Sequence, residues 1–263
     1  MNSMSKKYET IIGLEVHIQL STKSKAYCGD SYTFGKSPNS CVSPISLGHP
    51  GTLPKPNKRV IESAIKLGLA LNCNITKFNE YARKNYYYAD LPKGYQITQD
   101  KTPICTGGFV EILTQKNSKK INLTRIHMEE DAGKSIHDLD PFNSLIDLNR
   151  AGVPLLEIVS EPEIRSSKEA YDYLQEVRKL VRFLDICNGN MEEGSLRCDA
   201  NISVRPFGTT KLRNRVEVKN LNSFSNVQKA IDTEVIRQIN VYEQGGDIEQ
   251  ETRNYNPKKN ETI

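Results

Sequence analysis

Residues 11–20 read Ile-Ile-Gly-Leu-Glu-Val-His-Ile-Gln-Leu, so that Ile12, Leu14, Val16, Ile18 and Leu20 alternate with Ile11, Gly13, Glu15, His17 and Gln19. A period of two is that of a β-strand, whose successive side chains leave on opposite faces. One face of this strand is apolar and must be covered, while the other carries Glu15 and His17. The same division recurs: Leu196, Cys198, Ala200, Ile202 and Val204 oppose Arg197, Asp199, Asn201, Ser203 and Arg205. Arg215, Glu217, Lys219 and Leu221 oppose Val216, Val218 and Asn220, and Arg125, His127 and Glu129 share one side of a further strand. Any one such face is what a sheet turned to water shows. Three or four of them, rich in Glu, Asp, His and Arg instead of Lys, Thr and Gln, read more sharply as the wall of a polar cavity.

The rest of the chain places these strands. Ser21 to Pro56 holds Gly29, Gly35, Pro38, Pro44, Gly48, Pro50, Gly51, Pro54 and Pro56 and is read as loop. Asn57 to Leu71 is broadly apolar and helical. Two more helices have capping-box starts, Ser166 with Glu169 and Ser225 with Gln228, and the second stops at Gly245-Gly246. Strands are expected over 108–113, 121–128, 155–159, 196–205 and 215–221. Strands arriving in runs with few helices between them favour an α+β layout around an antiparallel or mixed sheet. The end, Glu251 to Ile263, is polar and has no stop signal.

Composition adds bounds. A chain of 263 residues, 26% charged and 37% hydrophobic, can bury a core and lacks the signature of disorder. A formal charge of +4 is compatible with a nucleic-acid partner and too small to argue for one. Six scattered cysteines without a C-x-x-C pair read as reduced thiols. No apolar run approaches bilayer length, and a soluble cytoplasmic protein is expected, with no membrane partner.

Glu15, Glu129, Glu130 and Asp199 are hard oxygen donors suited to Mg²⁺, and His17 points to the same side as Glu15. His127 is open to two readings, a structural hydrogen-bonding group or a ligand. The run from Arg83 to Gln96, with Tyr86, Tyr87, Tyr88 and Tyr95 among Lys84 and Lys93, is open as well: it suits nucleotide phosphate and a stacked base, or the edge of a core. No G-x-x-x-x-G-K-[ST] loop occurs, so any ATP site is of another kind.

Longer strings carry a resemblance. Ile12 to His17, Arg83 to Tyr86, Asp90 to Ile97, His127 to Ser135, Asp147 to Arg150, Glu157 to Pro162, Met191 to Asn201 and Glu217 to Phe224 stand in order along Tyr8 to Arg253. They resemble the B subunit of the tRNA-dependent aspartyl/glutamyl amidotransferases, and look closer to its bacterial and organellar type than to the archaeal relative. The resemblance implies a glutamine synthetase-like cradle over residues 1–263 that uses ATP and Mg²⁺. In that family the cradle phosphorylates the side-chain carboxylate of a mischarged Glu-tRNA(Gln) or Asp-tRNA(Asn), and ammonia then displaces the phosphate, and the same is expected here. The resemblance further implies that ammonia comes from glutamine hydrolysed by a separate amidase subunit, with a small third subunit making up a heterotrimer. By motif, Glu15, His17, Glu129 and Glu130 become metal candidates, with Asp199 a further catalytic one. Lys84, Lys93, Arg150, Ser195, Arg197 and Lys219 become phosphate and acyl-phosphate candidates.

The sequence departs from that family in two places. Where many relatives carry two cysteine pairs for structural zinc, this chain has Cys28, Asp30, Ser43 and Ser46, with Cys41 and His49 outside the frame, so no zinc is expected. The helical and tRNA-gripping tail domains of the family do not follow Ile263, whether through a fragment or a shortened gene, and weak tRNA affinity is expected. Two rivals remain: a non-catalytic module that binds RNA or scaffolds the amidase, and an unrelated acyl-phosphate-forming ligase. Acidic groups facing a cavity argue against the first, because they repel phosphate unless a metal sits between.

Overall fold

The computed structural model describes residues 7–114 and 117–263. Its strands are β1 (Tyr8–Gln19), β2 (Asn74–Ile75), β3 (Ala82–Asn85), β4 (Tyr95–Thr98), β5 (Cys105–Thr106), β6 (Phe109–Leu113) and β7 (Ser118–Glu130). They continue as β8 (Lys134–Ile136), β9 (Leu145–Asp147), β10 (Pro154–Ser160), β11 (Leu196–Pro206), β12 (Val216–Lys219), β13 (Glu251–Asn256) and β14 (Glu261–Thr262). The helices are α1 (Lys58–Ala70), α2 (Ser167–Phe183) and α3 (Phe224–Glu243).

Ten strands form one mixed sheet in the order β14-β13-β12-β11-β1-β10-β7-β5-β2, with β6 also paired to β7. Every pair is antiparallel except β12 with β13, which are parallel and joined through α3, the crossover a parallel pair needs. The α+β expectation with a mixed sheet holds. The alternation in β1 explains how the layers form: Ile12, Leu14, Val16 and Ile18 are wholly buried and share one core with Val60, Ala64 and Leu67 of α1, Tyr173, Leu174 and Val177 of α2, and Val227 and Ile231 of α3. Each such side chain contributes about 1.5–3 kcal/mol, and a one-residue slip would turn all of them to the wrong face. The helices therefore take the apolar side, and the polar side is left to form a cavity. β10 shifts its register against β7 between Val159 and Ser160, and on its other edge, past the Glu15–Val159 pair, the Leu14 N–H is taken up by Ser160 Oγ at 2.9 Å.

The long loop before α1 contains no helix, and Asn57 caps α1 by accepting from the Arg59 N–H. Ser166 caps α2 by accepting from the Glu169 N–H, while the Glu169 carboxylate reaches back to the Arg165 N–H at 2.9 Å. For α3 the expected cap is displaced: Ser223, not Ser225, has the extended backbone and accepts from the Asn226 N–H at 3.1 Å. Starting two residues earlier puts Phe224 in the first turn, edge-on to Tyr171 and beneath the Arg178 guanidinium. The polar end of the chain is also more ordered than its composition implies, since β13 and β14 form there. Tyr255 is buried in the core, and Thr262 donates to the buried Glu234 at 2.6 Å. No helix among the described residues is long and apolar enough to cross a membrane.

Candidate functional site

Antiparallel register decides which polar side chains become neighbours on the open face. One cross-sheet row runs Arg197 of β11, His17 of β1, Glu157 of β10, His127 of β7. The next runs Asp199, Glu15, Val159, Arg125, and a third begins with Gln19, Leu155 and Glu129. Neighbouring strands lie about 4.8 Å apart, so residues in a row touch. His17 Nε2 lies 3.2 Å from Glu157 Oε2 and 3.4 Å from Glu129 Oε1. His127 Nε2 is also 3.2 Å from Glu157 Oε2. These rows floor a cavity of about 1140 Å³, overhung by the β3–β4 pair and edged by residues 191–194 and 220–222.

The cluster's charges are set by burial and by each other. Burial favours a neutral Glu157, yet hydrogen bonds from His127 and His17 hold its carboxyl well below the ordinary range. Burial likewise opposes a charged His127, but bonds to Glu129 and Glu157 override it and raise the imidazole to about 9. His17 is raised in the same way, by Glu157 and Glu129 against burial. Glu15 is pushed up by burial and by the nearby charges of Glu157, Glu217 and Asp199, against a bond from Asn201 Nδ2 at 2.9 Å. A site that gathers carboxylates and holds protons on its imidazoles is one that a cation can enter by replacing those protons.

Among the described residues, His17, Glu129 and Glu157 form the group whose donor atoms lie within 4.8 Å of one another. Two carboxylates and one imidazole, with water and phosphate oxygens to complete the shell, fit Mg²⁺ or a similar hard divalent ion. Of the four metal candidates read from the sequence, the structure brings His17 and Glu129 together, sets Glu15 one row away and turns Glu130 elsewhere. Glu130 is buried, accepts from the Ile97 N–H at 2.8 Å and pairs with Lys93 Nζ at 2.6 Å. Burial pushes its carboxyl up against the pull of Lys93. That pair takes Lys93 out of the cavity too.

The remaining candidates divide similarly. Asp199 lies on the floor with Lys219 Nζ at 2.7 Å, and Lys219 also reaches Glu217 at 2.8 Å. Arg197 pairs with Asp131 at 2.9 Å, and Arg150 sits 3.7 Å from the same carboxylate while donating to the Ala132 and Gly133 carbonyls. Lys84 is exposed on the rim and makes no ion pair among the described residues. Ser195 holds a turn through Asn188 and Asn190 and does not line the cavity. Of the tyrosine run, Tyr86 lines the cavity, whereas Tyr87 is 88% exposed and Tyr88 68% exposed at the tip between β3 and β4.

Sequence reasoning passed over Glu157, the centre of the cluster. Its signal is a lone acid inside the apolar run Pro154 to Val159. In the loop, Ser46 Oγ donates to Asp30 Oδ2 at 2.6 Å and accepts from the Ser43 N–H at 3.0 Å, and burial raises the Cys28 thiol to about 11. One neutral thiol, one carboxylate and two hydroxyls do not fit structural zinc.

Known proteins share this geometry's sequence. Residues 10–263 match the family model described as the GatB/GatE catalytic domain. The chain is 59% identical over 256 residues to the B subunit of the aspartyl/glutamyl-tRNA(Asn/Gln) amidotransferase of Pelodictyon phaeoclathratiforme, covering 97% of this chain and 54% of that protein. It is 57% identical over 255 residues to the B subunit of the Chlorobaculum tepidum enzyme, with 97% and 54% covered. To that of Thermodesulfovibrio yellowstonii it is 54% identical over 247 residues, with 94% and 52% covered. The chain thus spans about half the length of the curated relatives it matches, and that half includes every strand that floors the cavity. With a match that runs through the whole sheet and its acidic and histidine rows, the chain belongs to the GatB/GatE catalytic domain family.

Proposed function

We propose that residues 1–263 act as the catalytic cradle of a tRNA amidotransferase, activating the side-chain carboxylate of a mischarged aminoacyl-tRNA with ATP. The observation that carries this reading is the meeting of His17, Glu129 and Glu157 on the floor of a cavity also lined by cations. A carboxylate is a poor electrophile until one oxygen becomes a leaving group. In the first step that oxygen attacks the terminal phosphorus of ATP, the bond from phosphorus to the bridging oxygen breaks, and ADP leaves. In the second, the nitrogen of ammonia attacks the acyl carbon, the carbon–oxygen bond to phosphate breaks, and the nitrogen sheds its proton to a cavity carboxylate. Held by His17, Glu129 and Glu157, Mg²⁺ would offset the charge that develops on the transferred phosphoryl group.

Around that centre the chain's own residues position and screen. Arg197 and Arg150, fixed by Asp131, and Lys219, fixed by Asp199 and Glu217, keep the acyl side electrically balanced, so that a neutral amide can leave where a carboxylate entered. The relatives are named for Asp- and Glu-tRNA amidotransfer, and the substrates proposed are Glu-tRNA(Gln) and Asp-tRNA(Asn). An amidase that supplies ammonia from glutamine and a small third subunit are the proposed partners, in the cytoplasm where translation runs. The test is ATP turnover dependent on Glu-tRNA, Mg²⁺ and those partners, compared with Glu157→Gln and Glu15→Ala. Equal turnover in all three proteins would remove the proposed role of the cluster. The RNA-binding scaffold reading has one observation behind it, the exposed Tyr87 and Tyr88 beside Arg83 and Lys84; turnover lost in the Glu157 variant would end it.

A further inference from the structure

Besides the two histidines, six lysines and arginines line the cavity: Arg83, Lys84, Arg125, Arg150, Arg197 and Lys219. Three of them already have carboxylate partners, Arg150 and Arg197 sharing Asp131 and Lys219 held by Asp199 and Glu217. Of the three without a carboxylate partner among the described residues, Arg83 and Lys84 stand on the overhanging β3, and Arg83 rests over the Tyr95 ring at 4.8 Å. Arg125 alone is on the floor, on the strand that also supplies His127 and Glu129. Its Nε is buried and has no hydrogen-bond partner.

The register shows why it is unbalanced. In its row the order is Asp199, Glu15, Val159, Arg125, so an apolar residue stands between the arginine and the first acid of that row. Two strand spacings, about 9.6 Å, separate the two backbones. A buried guanidinium N–H left unpaired costs about 1–3 kcal/mol, and where a fold retains one it calls for a partner. We propose that Arg125 is the cation that grips the terminal phosphate of the nucleotide, on the side of the cluster away from Asp199 and Lys219.

The chemistry fits the place. The cluster presents its own carboxylates, so a phosphate drawn to a cation held there still meets negative charge and needs a second positive group beyond it. Arg125 is two residues, about 6.8 Å, along β7 from His127, a gap that an extended arginine closes. A planar guanidinium can hold two non-bridging oxygens of one phosphate at once, and its charge does not depend on pH in the working range. The arginine exchanges no proton and forms no bond: it stays on the phosphoryl group while the phosphorus passes from the bridging oxygen to the substrate carboxylate.

This inference rests on the nucleotide reading above, and the experiment separates the two. Binding of the non-hydrolysable ATP analogue AMP-PNP and of ADP, both with Mg²⁺, is measured by calorimetry on the chain and on its Arg125→Gln and Arg125→Lys forms, each checked by circular dichroism. Arg125→Gln is expected to weaken AMP-PNP by about tenfold or more while moving ADP by less than about threefold, the scale of one lost charge-assisted contact. Arg125→Lys, with the charge but not the fork, should fall between. Equal losses for both nucleotides, or none for either, overturn the assignment and leave the nucleotide reading standing. If the unchanged chain binds neither nucleotide, both fall.

Discussion

On the β11–β12 side of the cavity floor the cations have carboxylates within reach, Arg197 at 2.9 Å from Asp131 and Lys219 at 2.7 Å from Asp199. On the β7 side Arg125 has none among the described residues, although the two sides belong to one sheet and face one space. The difference comes from single positions in the rows. Asp199 stands beside Glu15 and within reach of Lys219, whereas Val159 stands beside Arg125. A balanced side suits a substrate whose charge disappears during the reaction, and an unbalanced one suits a polyanion that must be held throughout. The cluster of His17, Glu129 and Glu157 lies where the two sides meet.

The most damaging change should be at that meeting point. Glu157→Gln is nearly isosteric and is expected to lower Mg²⁺ or Mn²⁺ affinity by about a hundredfold or more, measured by calorimetry; unchanged affinity would detach the cluster from cation binding. Binding must also displace the proton that Glu157 and Glu129 hold on His17 against burial, so affinity is expected to rise with pH. In the cation-free chain the sign for stability is opposite. His127, raised from 6.5 to about 9, contributes stability that is complete below 6.5 and is lost as pH rises through about 9, which thermal melts across that range would report.

Next in size, Val159→Glu would give Arg125 the counter-ion that its row lacks and make the two sides alike. AMP-PNP affinity should then fall about tenfold, close to the effect of removing the arginine itself. An unaltered affinity would break the comparison. Asp131→Asn acts on the other side, freeing Arg197 and Arg150. Because those guanidinium groups are about a third exposed, the loss of stability to urea is expected at about 1–2 kcal/mol, below that of a fully buried pair. Smallest of all, Lys219→Met removes a partly exposed partner of Asp199 and Glu217 and should cost less than about 1 kcal/mol in the same assay. A larger loss there would mean that the balanced side is held more tightly than its exposure implies.

Much of the site was legible in single strands. Alternation alone put Glu15 with His17, Arg197 with Asp199, and Arg125 with His127 and Glu129, and each set shares a face in the structure. The same rule already separates Glu129 from Glu130, since adjacent strand residues leave on opposite sides; the motif resemblance kept them together, and the structure sends Glu130 to Lys93. Glu157 was hidden because β10 is apolar on both sides of it, so no period marks its face. Lys93 and Ser195 become phosphate candidates by motif, and in the structure Lys93 bonds to Glu130 and Ser195 to the Asn190 carbonyl. The α3 cap was placed two residues late because Ser225 with Gln228 is the fuller local signal, while the packing of Phe224 on α2 selected Ser223.

By itself the sequence determined which residues of β1, β7 and β11 face the helices and which face the cavity, because burying one apolar face is a local, period-two property. It also determined that the helices and the sheet fall into an α+β arrangement. Only the tertiary structure decided that β1 lies between β10 and β11, and with it that His17 meets Glu157 on one side and Arg197 on the other. Those partners are separated by more than a hundred residues along the chain. Strand order over such distances is fixed by the packing of the whole core and the closure of long loops, which no local pattern encodes.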